Sequence, residues 1–174
     1  LNINKEHNLA IFEAGISQPG EMEKLEKIIQ PSIGIFTNIG EAHAEGFENI
    51  KQKINEKLKL FIHVKQLVFC ADDKRIRDAV LVIRKGKKTP ELFSWGKDKS
   101  NKLQILAVNK KKTYTKLEAV YETKNITVSI PFIDDDSIEN AINCCCIILL
   151  LNKNNEAIRK RFEALYPIAM SLDL

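Results

Sequence analysis

Between Leu9 and Arg84 short unbroken apolar runs alternate with amphipathic stretches, and this alternation constrains the fold more than any other feature of the chain. Leu9–Ala14, Ile33–Phe36 and Leu67–Phe69 are too short for helices and lack polar alternation, so each reads as a strand covered on both faces. Met22, Leu25, Ile28 and Ile29 form one helical stripe, stopped by Pro31. Phe47, Ile50, Ile54, Leu58 and Phe61 form a second. Ala79, Val80 and Ile83 mark a third helix, for which Asp72 or Asp73 is the expected cap. Buried strands separated by amphipathic helices specify an α/β fold: a mostly parallel sheet with helices on both faces.

Past Pro90 the period changes. Leu103, Ile105 and Ala107, then Leu117, Ala119 and Tyr121, then Ile126, Val128 and Ile130 alternate with polar residues, with turn signals near Asn109–Lys111 and Thr123–Asn125. This predicts a small antiparallel meander within residues 90–131. Its lysines Lys110, Lys111 and Lys112 read as a solvated hairpin tip. Asp136 with Glu139 resembles a capping box opening a helix through Leu151, and a last helix is expected from Asn155 to Leu165 before Pro167.

At 174 residues the chain is sized for one domain. Its 27 basic and 23 acidic residues leave a net charge of +4, too even a balance to demand nucleic acid or a membrane as partner. The longest apolar run, Cys144–Leu151, is eight residues, whereas a membrane-spanning helix needs about 20. Cys144, Cys145 and Cys146 are adjacent, so on a helix they point about 100° apart and cannot gather round one metal as CxxC pairs do. They read as small core residues of a chain kept in a reducing, cytoplasmic compartment. Because the chain opens on Leu1 with a strand-like run only eight residues in, the expectation is a piece of a longer protein.

Chemistry concentrates in Thr37–Phe47, which holds His43, Glu41, Glu45, Gly40 and Gly46. A loop that follows a buried parallel strand emerges at the carboxyl edge of the sheet, where open α/β folds bind ligands. Glu13, ending the run Leu9–Ala14, is expected on the same edge, where a carboxylate and an imidazole can share a metal or divide proton transfer. On spacing alone the alternative stays open that Glu13 and Glu41 solvate strand ends and His43 caps the next helix. Lys57 flanks the apolar stripe of its helix, as a snorkelling lysine also does. A phosphate-binding glycine loop is missing: Gly86–Thr89 reads GKKT, but Leu81 stands where the first glycine belongs and a helix precedes it.

Two segments carry a family resemblance: Ala10-Ile-Phe-Glu-Ala-Gly-Ile-Ser-Gln-Pro-Gly-Glu21, and Thr37-Asn-Ile-Gly-Glu-Ala-His-Ala-Glu-Gly-Phe47. They resemble the Mur ligase family, in its D-alanyl-D-alanine-adding branch, and weaker likeness runs through Lys57, Asn140 and Pro167–Met170. The resemblance spans nearly all of residues 1–174 and implies the family's central ATP-binding domain. It implies ATP and Mg2+ as cofactors, with UDP-N-acetylmuramoyl-tripeptide and D-Ala-D-Ala as substrates. Glu13 matches a magnesium-binding glutamate and His43 a histidine serving the second magnesium. Lys57 matches a lysine that several members carry as a carbamate, an anionic magnesium ligand. Asn38 matches an asparagine lining the same cleft, and Asn140 one that contacts adenine.

The reaction so implied is ATP-dependent amide formation through an acyl phosphate, with Lys57 and His43 at its catalytic centre. There are departures. The family's GTNGKT loop is expected upstream of Leu1 and the domain that brings the amine substrate after Leu174, so this chain alone is expected to be inactive. Asp136 stands where many members have histidine, and Ser171 where they usually have arginine. Two rival readings are another amide ligase of the superfamily, such as the folylpolyglutamate synthase branch, and a degenerate domain used for protein contact. A metal-dependent hydrolase built on Glu13 and His43 is a third.

Overall fold

The strand Gln66–Cys70 (β2) shows how the domain is layered. Leu67 and Phe69 belong to one buried cluster, while Val68 between them belongs to another, because successive side chains of a strand leave on opposite faces. The structure is a computed structural model that describes residues 4–39, 46–83, 89–151, 160–162 and 164–165. One mixed sheet runs through it in the order β1-β2-β3-β4-β5-β6. Besides β2, its strands are β1 (Ile33–Phe36), β3 (Glu91–Gly96), β4 (Leu103–Lys110), β5 (Thr115–Tyr121) and β6 (Lys124–Ile130). Pairing is parallel from β1 through β4 and antiparallel from β4 through β6.

Among the described residues, three helices cover one face: α1 (Glu21–Ile29), α2 (Ile50–Lys59) and α3 (Lys74–Ile83). Met22, Ile54, Leu58, Ile76 and Val80 pack there with Phe36, Leu67 and Phe69. The fourth helix, α4 (Asp135–Leu150), covers the opposite face. Its Ile138, Ala141, Ile142, Cys145, Cys146 and Leu149 meet Val68, Trp95 and the inward residues of the meander. Cys145 and Cys146 are core residues, as their neighbours imply, whereas Cys144 is exposed. Polar groups carried into this core are satisfied: Asn143 accepts at Oδ1 from Trp95 Nε1 at 2.8 Å, and the Thr115 hydroxyl donates to the Phe132 carbonyl at 2.7 Å.

The expected α/β sheet with helices on both faces is therefore present, with local corrections. Leu9–Ala14 forms no strand and pairs with none among the described residues, and Ile11 is 87% exposed. A run of apolar residues is a buried strand only where a neighbour completes its ladder, and β1 is the edge of the described sheet. Ile28 is 78% exposed rather than inward, and the buried position on α1 goes to Glu26, which holds His63 Nδ1 at 2.8 Å. Antiparallel pairing starts at Leu103, not at Pro90: β3, which the sequence reading lacks, runs parallel to both neighbours. The cap of α4 is Asp134, whose carboxylate accepts from Ser137 N–H at 2.7 Å, so the Asp136–Glu139 box does not form. Asp134 alone has the extended backbone that a cap needs; Asp136 is already one residue inside the helix. Most of the expected last helix lies outside the described residues.

The two candidate caps of α3 divide their work. Asp73 accepts from Arg75 N–H at 2.8 Å and Ile76 N–H at 3.4 Å. Asp72 instead reaches the next strand end and accepts from Lys97 N–H at 3.0 Å.

Candidate functional site

The carboxyl edge of β1 opens directly into Thr37-Asn38-Ile39. Ile39 turns back into the cluster beneath α1–α3, which leaves Asn38 exposed at the rim. Asn38 Nδ2 donates to Asp136 Oδ1 at 2.8 Å, and its backbone carbonyl accepts from Lys57 Nζ at 3.4 Å. The Lys57 ammonium also lies 5.9 Å from the centre of the Phe36 ring, the last residue of β1. Burial and then the charge of Lys53 push the Lys57 amine below the ordinary lysine range. A side chain on α2, the end of β1 and the first turn of α4 thus meet at one edge.

That first turn is built from three consecutive aspartates, and each has a different task. Asp134 caps the helix, Asp135 pairs with Lys110 Nζ at 2.6 Å, and Asp136 holds Asn38. Successive helical residues point about 100° apart, which sends the carboxylates in separate directions. Lys110, expected to be a solvated hairpin residue, therefore ties the meander to α4. Glu139 lies one turn further on; burial, then Asp136, Asp135 and Asp73 in turn, push its carboxyl above the usual range.

Asn140 follows Asp136 by four residues and shares its side of α4. It lines a groove of about 330 Å³ with Phe132, Ser137, Cys144, Arg161 and Phe162. The groove is mostly apolar with a few polar groups at its rim, a composition that suits a flat ring.

The two motif segments, about 20 residues apart in sequence, are also brought together. Gly46 has φ +90°, and a Cβ there would run into the carbonyl oxygen of Ser17. Only glycine allows both the backbone angle and the approach. Gly20 N–H donates at 2.6 Å to Glu56 Oε1, a buried carboxylate on α2 that also pairs with Lys59. Glu21 completes the turn by accepting from Ser17 N–H and Gln18 N–H at 2.7 and 2.9 Å.

Of the residues singled out from sequence, Asn38 and Lys57 converge, and Asn140 lies one turn along the helix that Asn38 touches. Glu13 is exposed and makes no hydrogen bond or ion pair to a described residue. His43 lies outside the described residues, as do Pro167–Met170 and Ser171. Among the described residues no three His, Cys, Asp or Glu side chains are grouped to hold a metal ion. Lys57 offers an amine, which a hard cation does not take unless it becomes an oxygen donor. The residue that sequence reasoning undervalued is Asp136, read there as a cap and as a departure from histidine. Its position four residues before Asn140 was the available signal.

The profile of the Mur ligase middle domain matches residues 1–148. The UDP-N-acetylmuramoyl-tripeptide–D-alanyl-D-alanine ligase of Rickettsia prowazekii is 26% identical over 126 residues, which are 71% of this chain and 28% of that protein. A crystal structure of MurF from Acinetobacter baumannii superposes with a TM-score of 0.81 at 21% identity, covering 96% of this chain and 36% of the other. MurF ligase from Thermotoga maritima in complex with ADP superposes with a TM-score of 0.71 at 20% identity, covering 87% and 34%. The chain spans about a third of the length of these relatives. No helix among the described residues is long and apolar enough to cross a membrane.

Proposed function

This chain belongs to the Mur ligase middle-domain family, and we propose that it is the central ATP-binding domain of a ligase that joins D-Ala-D-Ala to UDP-N-acetylmuramoyl-tripeptide. The observation that carries the proposal is the junction of Asn38, Lys57 and the first turn of α4 at the carboxyl edge of a parallel sheet. This is where an open α/β fold presents its ligand side, and the residues that meet there are those that resemble the family's cleft residues. The relatives' names give the substrates, and the remainder of the parent protein is expected to supply the phosphate-binding glycine loop and the amine-binding domain.

In this reading the tripeptide carboxylate attacks the γ-phosphorus of ATP, the bond to the β-phosphate oxygen breaks, and ADP leaves. The D-Ala-D-Ala amine then attacks the acyl carbon, loses a proton and expels inorganic phosphate. The groove beside Asn140 takes the adenine, whose ring edge offers the donors and acceptors an amide can pair with. Asn38 lines the path from that groove to Lys57. The lowered affinity of Lys57 for its proton supports its assigned role, since only the neutral amine takes up carbon dioxide to become a carbamate. Glu13, His43 and carbamylated Lys57 are the proposed magnesium ligands, and the metal, when bound, would neutralise the converging negative charge.

The test is ADP release by the full-length parent protein with ATP and the two substrates, alone and together. Turnover that needs both substrates, and falls at least 100-fold in Lys57→Ala, is the expected result. Turnover with a different amine moves the protein to another branch of the superfamily, and no ATP cleavage with any substrate leaves a non-catalytic domain.

A further inference from the structure

We infer that Asp136 is a positioning residue that fixes which end of the Asn38 side-chain amide faces the cleft. The inference rests on the ligase reading, because it concerns how that cleft is arranged. An asparagine amide has a donor end and an acceptor end, and nothing in its own shape decides between them. A carboxylate opposite it does decide, because an ionised aspartate only accepts. With one of its two Nδ2 protons committed to Asp136 Oδ1 at 2.8 Å, the Asn38 amide is turned so that its carbonyl end lies away from Asp136, where a ligand can reach it. That end takes hydrogen-bond donors, such as hydroxyl, amino or amide N–H groups of the nucleotide or the peptide substrate, and rejects bare phosphate oxygens. The hydrogen bond also pins the residue whose backbone carbonyl receives Lys57 Nζ at 3.4 Å, so Asp136 sets the start of the loop as well as its polarity.

Asp136 is held in turn. It lies in the first turn of α4 between Asp135, which Lys110 ties to the meander, and Ser137, whose N–H is bonded to the capping Asp134. The helix underneath is anchored by Ile138, Ala141 and Ile142 in the core. The carboxylate that orients Asn38 is therefore mounted on a rigid element, while Asn38 belongs to a connecting segment.

The test uses the full-length parent protein carrying Asp136→Asn, Asp136→Ala or Asp136→Lys, each alone and with Asn38→Ala. Asparagine can still accept from Nδ2, so Asp136→Asn should keep kcat/KM within about threefold. Asp136→Ala should lower it about tenfold. Asp136→Lys presents a donor, turns the Asn38 amide round, and should lower it further. In the Asn38→Ala background all three should have no additional effect, because the residue they act through is gone. The Asn38 side-chain amide resonances give a readout independent of turnover: one exchange-protected proton in the wild type and in Asp136→Asn, and none in Asp136→Ala. If the wild type turns over but Asp136→Ala is unchanged, or its effect is undiminished in Asn38→Ala, the inference is overturned while the ligase reading stands. If the wild type has no ligase turnover, the reading and the inference fall together.

Discussion

Asn38 and Asp136 are 98 residues apart in the chain and are joined by a 2.8 Å hydrogen bond. The first leaves β1 above the core shared with α1–α3, and the second stands on the helix that covers the other face of the sheet. Their bond is thus a clasp between the two layers at the carboxyl edge. The first motif segment has a separate fastening, where the Gly20 N–H is held by Glu56 of α2.

Gly46→Ala should destabilise the fold by about 1–3 kcal/mol, since alanine at φ +90° is strained and its methyl meets the Ser17 carbonyl. Urea unfolding of this chain checks it. A midpoint unchanged from wild type would show that the two motif segments do not pack on each other.

Asn143→Ala removes the acceptor of the buried Trp95 indole N–H and should lower stability by about 1–3 kcal/mol. Trp95 is the only tryptophan of the chain, so its fluorescence reports the change directly. An unshifted emission maximum together with full stability would contradict the assignment.

Glu139→Gln should stabilise the domain at neutral pH by a fraction of 1 kcal/mol, the half-exposed site being screened by solvent. Burial and the facing Asp136, Asp135 and Asp73 raise the folded carboxyl above its ordinary 4.5, so the folded state binds the proton more tightly than the unfolded one. Wild-type stability therefore falls as pH rises from about 4.5 through the raised value. Lys110, paired to Asp135, offsets part of this repulsion. The advantage of the glutamine should vanish below pH 4.5; an advantage that persists there would point to packing instead of charge.

Alkylation of the native protein should label Cys144 first, because it is exposed, and leave Cys145 and Cys146 until unfolding. Burial pushes the Cys145 thiol up to about 12 and Cys146 higher than an ordinary thiol as well. Mass spectrometry of timed samples orders the three. Equal rates would mean that α4 does not pack as described.

The parallel part of the sheet was legible because β1 and β2 are apolar on both faces, a pattern that helices of that length do not show. β3 escaped because Glu91-Leu-Phe-Ser-Trp-Gly mixes exposed, half-buried and buried positions and lies in sequence between a lysine-rich stretch and the meander. Ile28 misled because an apolar residue at helical spacing does not reveal whether a buried carboxylate, here Glu26, has claimed the inward position through a partner 37 residues away. The cleft was legible in part for the same reason. The family resemblance pointed to Asn38, while the pairing with Asp136 is a long-range contact that no local pattern encodes.

The three aspartates at the head of α4 make the numbering of that turn a mechanical setting. A single residue inserted just after Asp134 would rotate the following carboxylates by about 100° relative to the cap. Lys110 and Asn38 would each lose the partner addressed to it, although all three aspartates and their charges would be retained. A change of length at Asp134–Asp136 would therefore break both pairings at once, and in any aligned set of relatives gaps should be rare there.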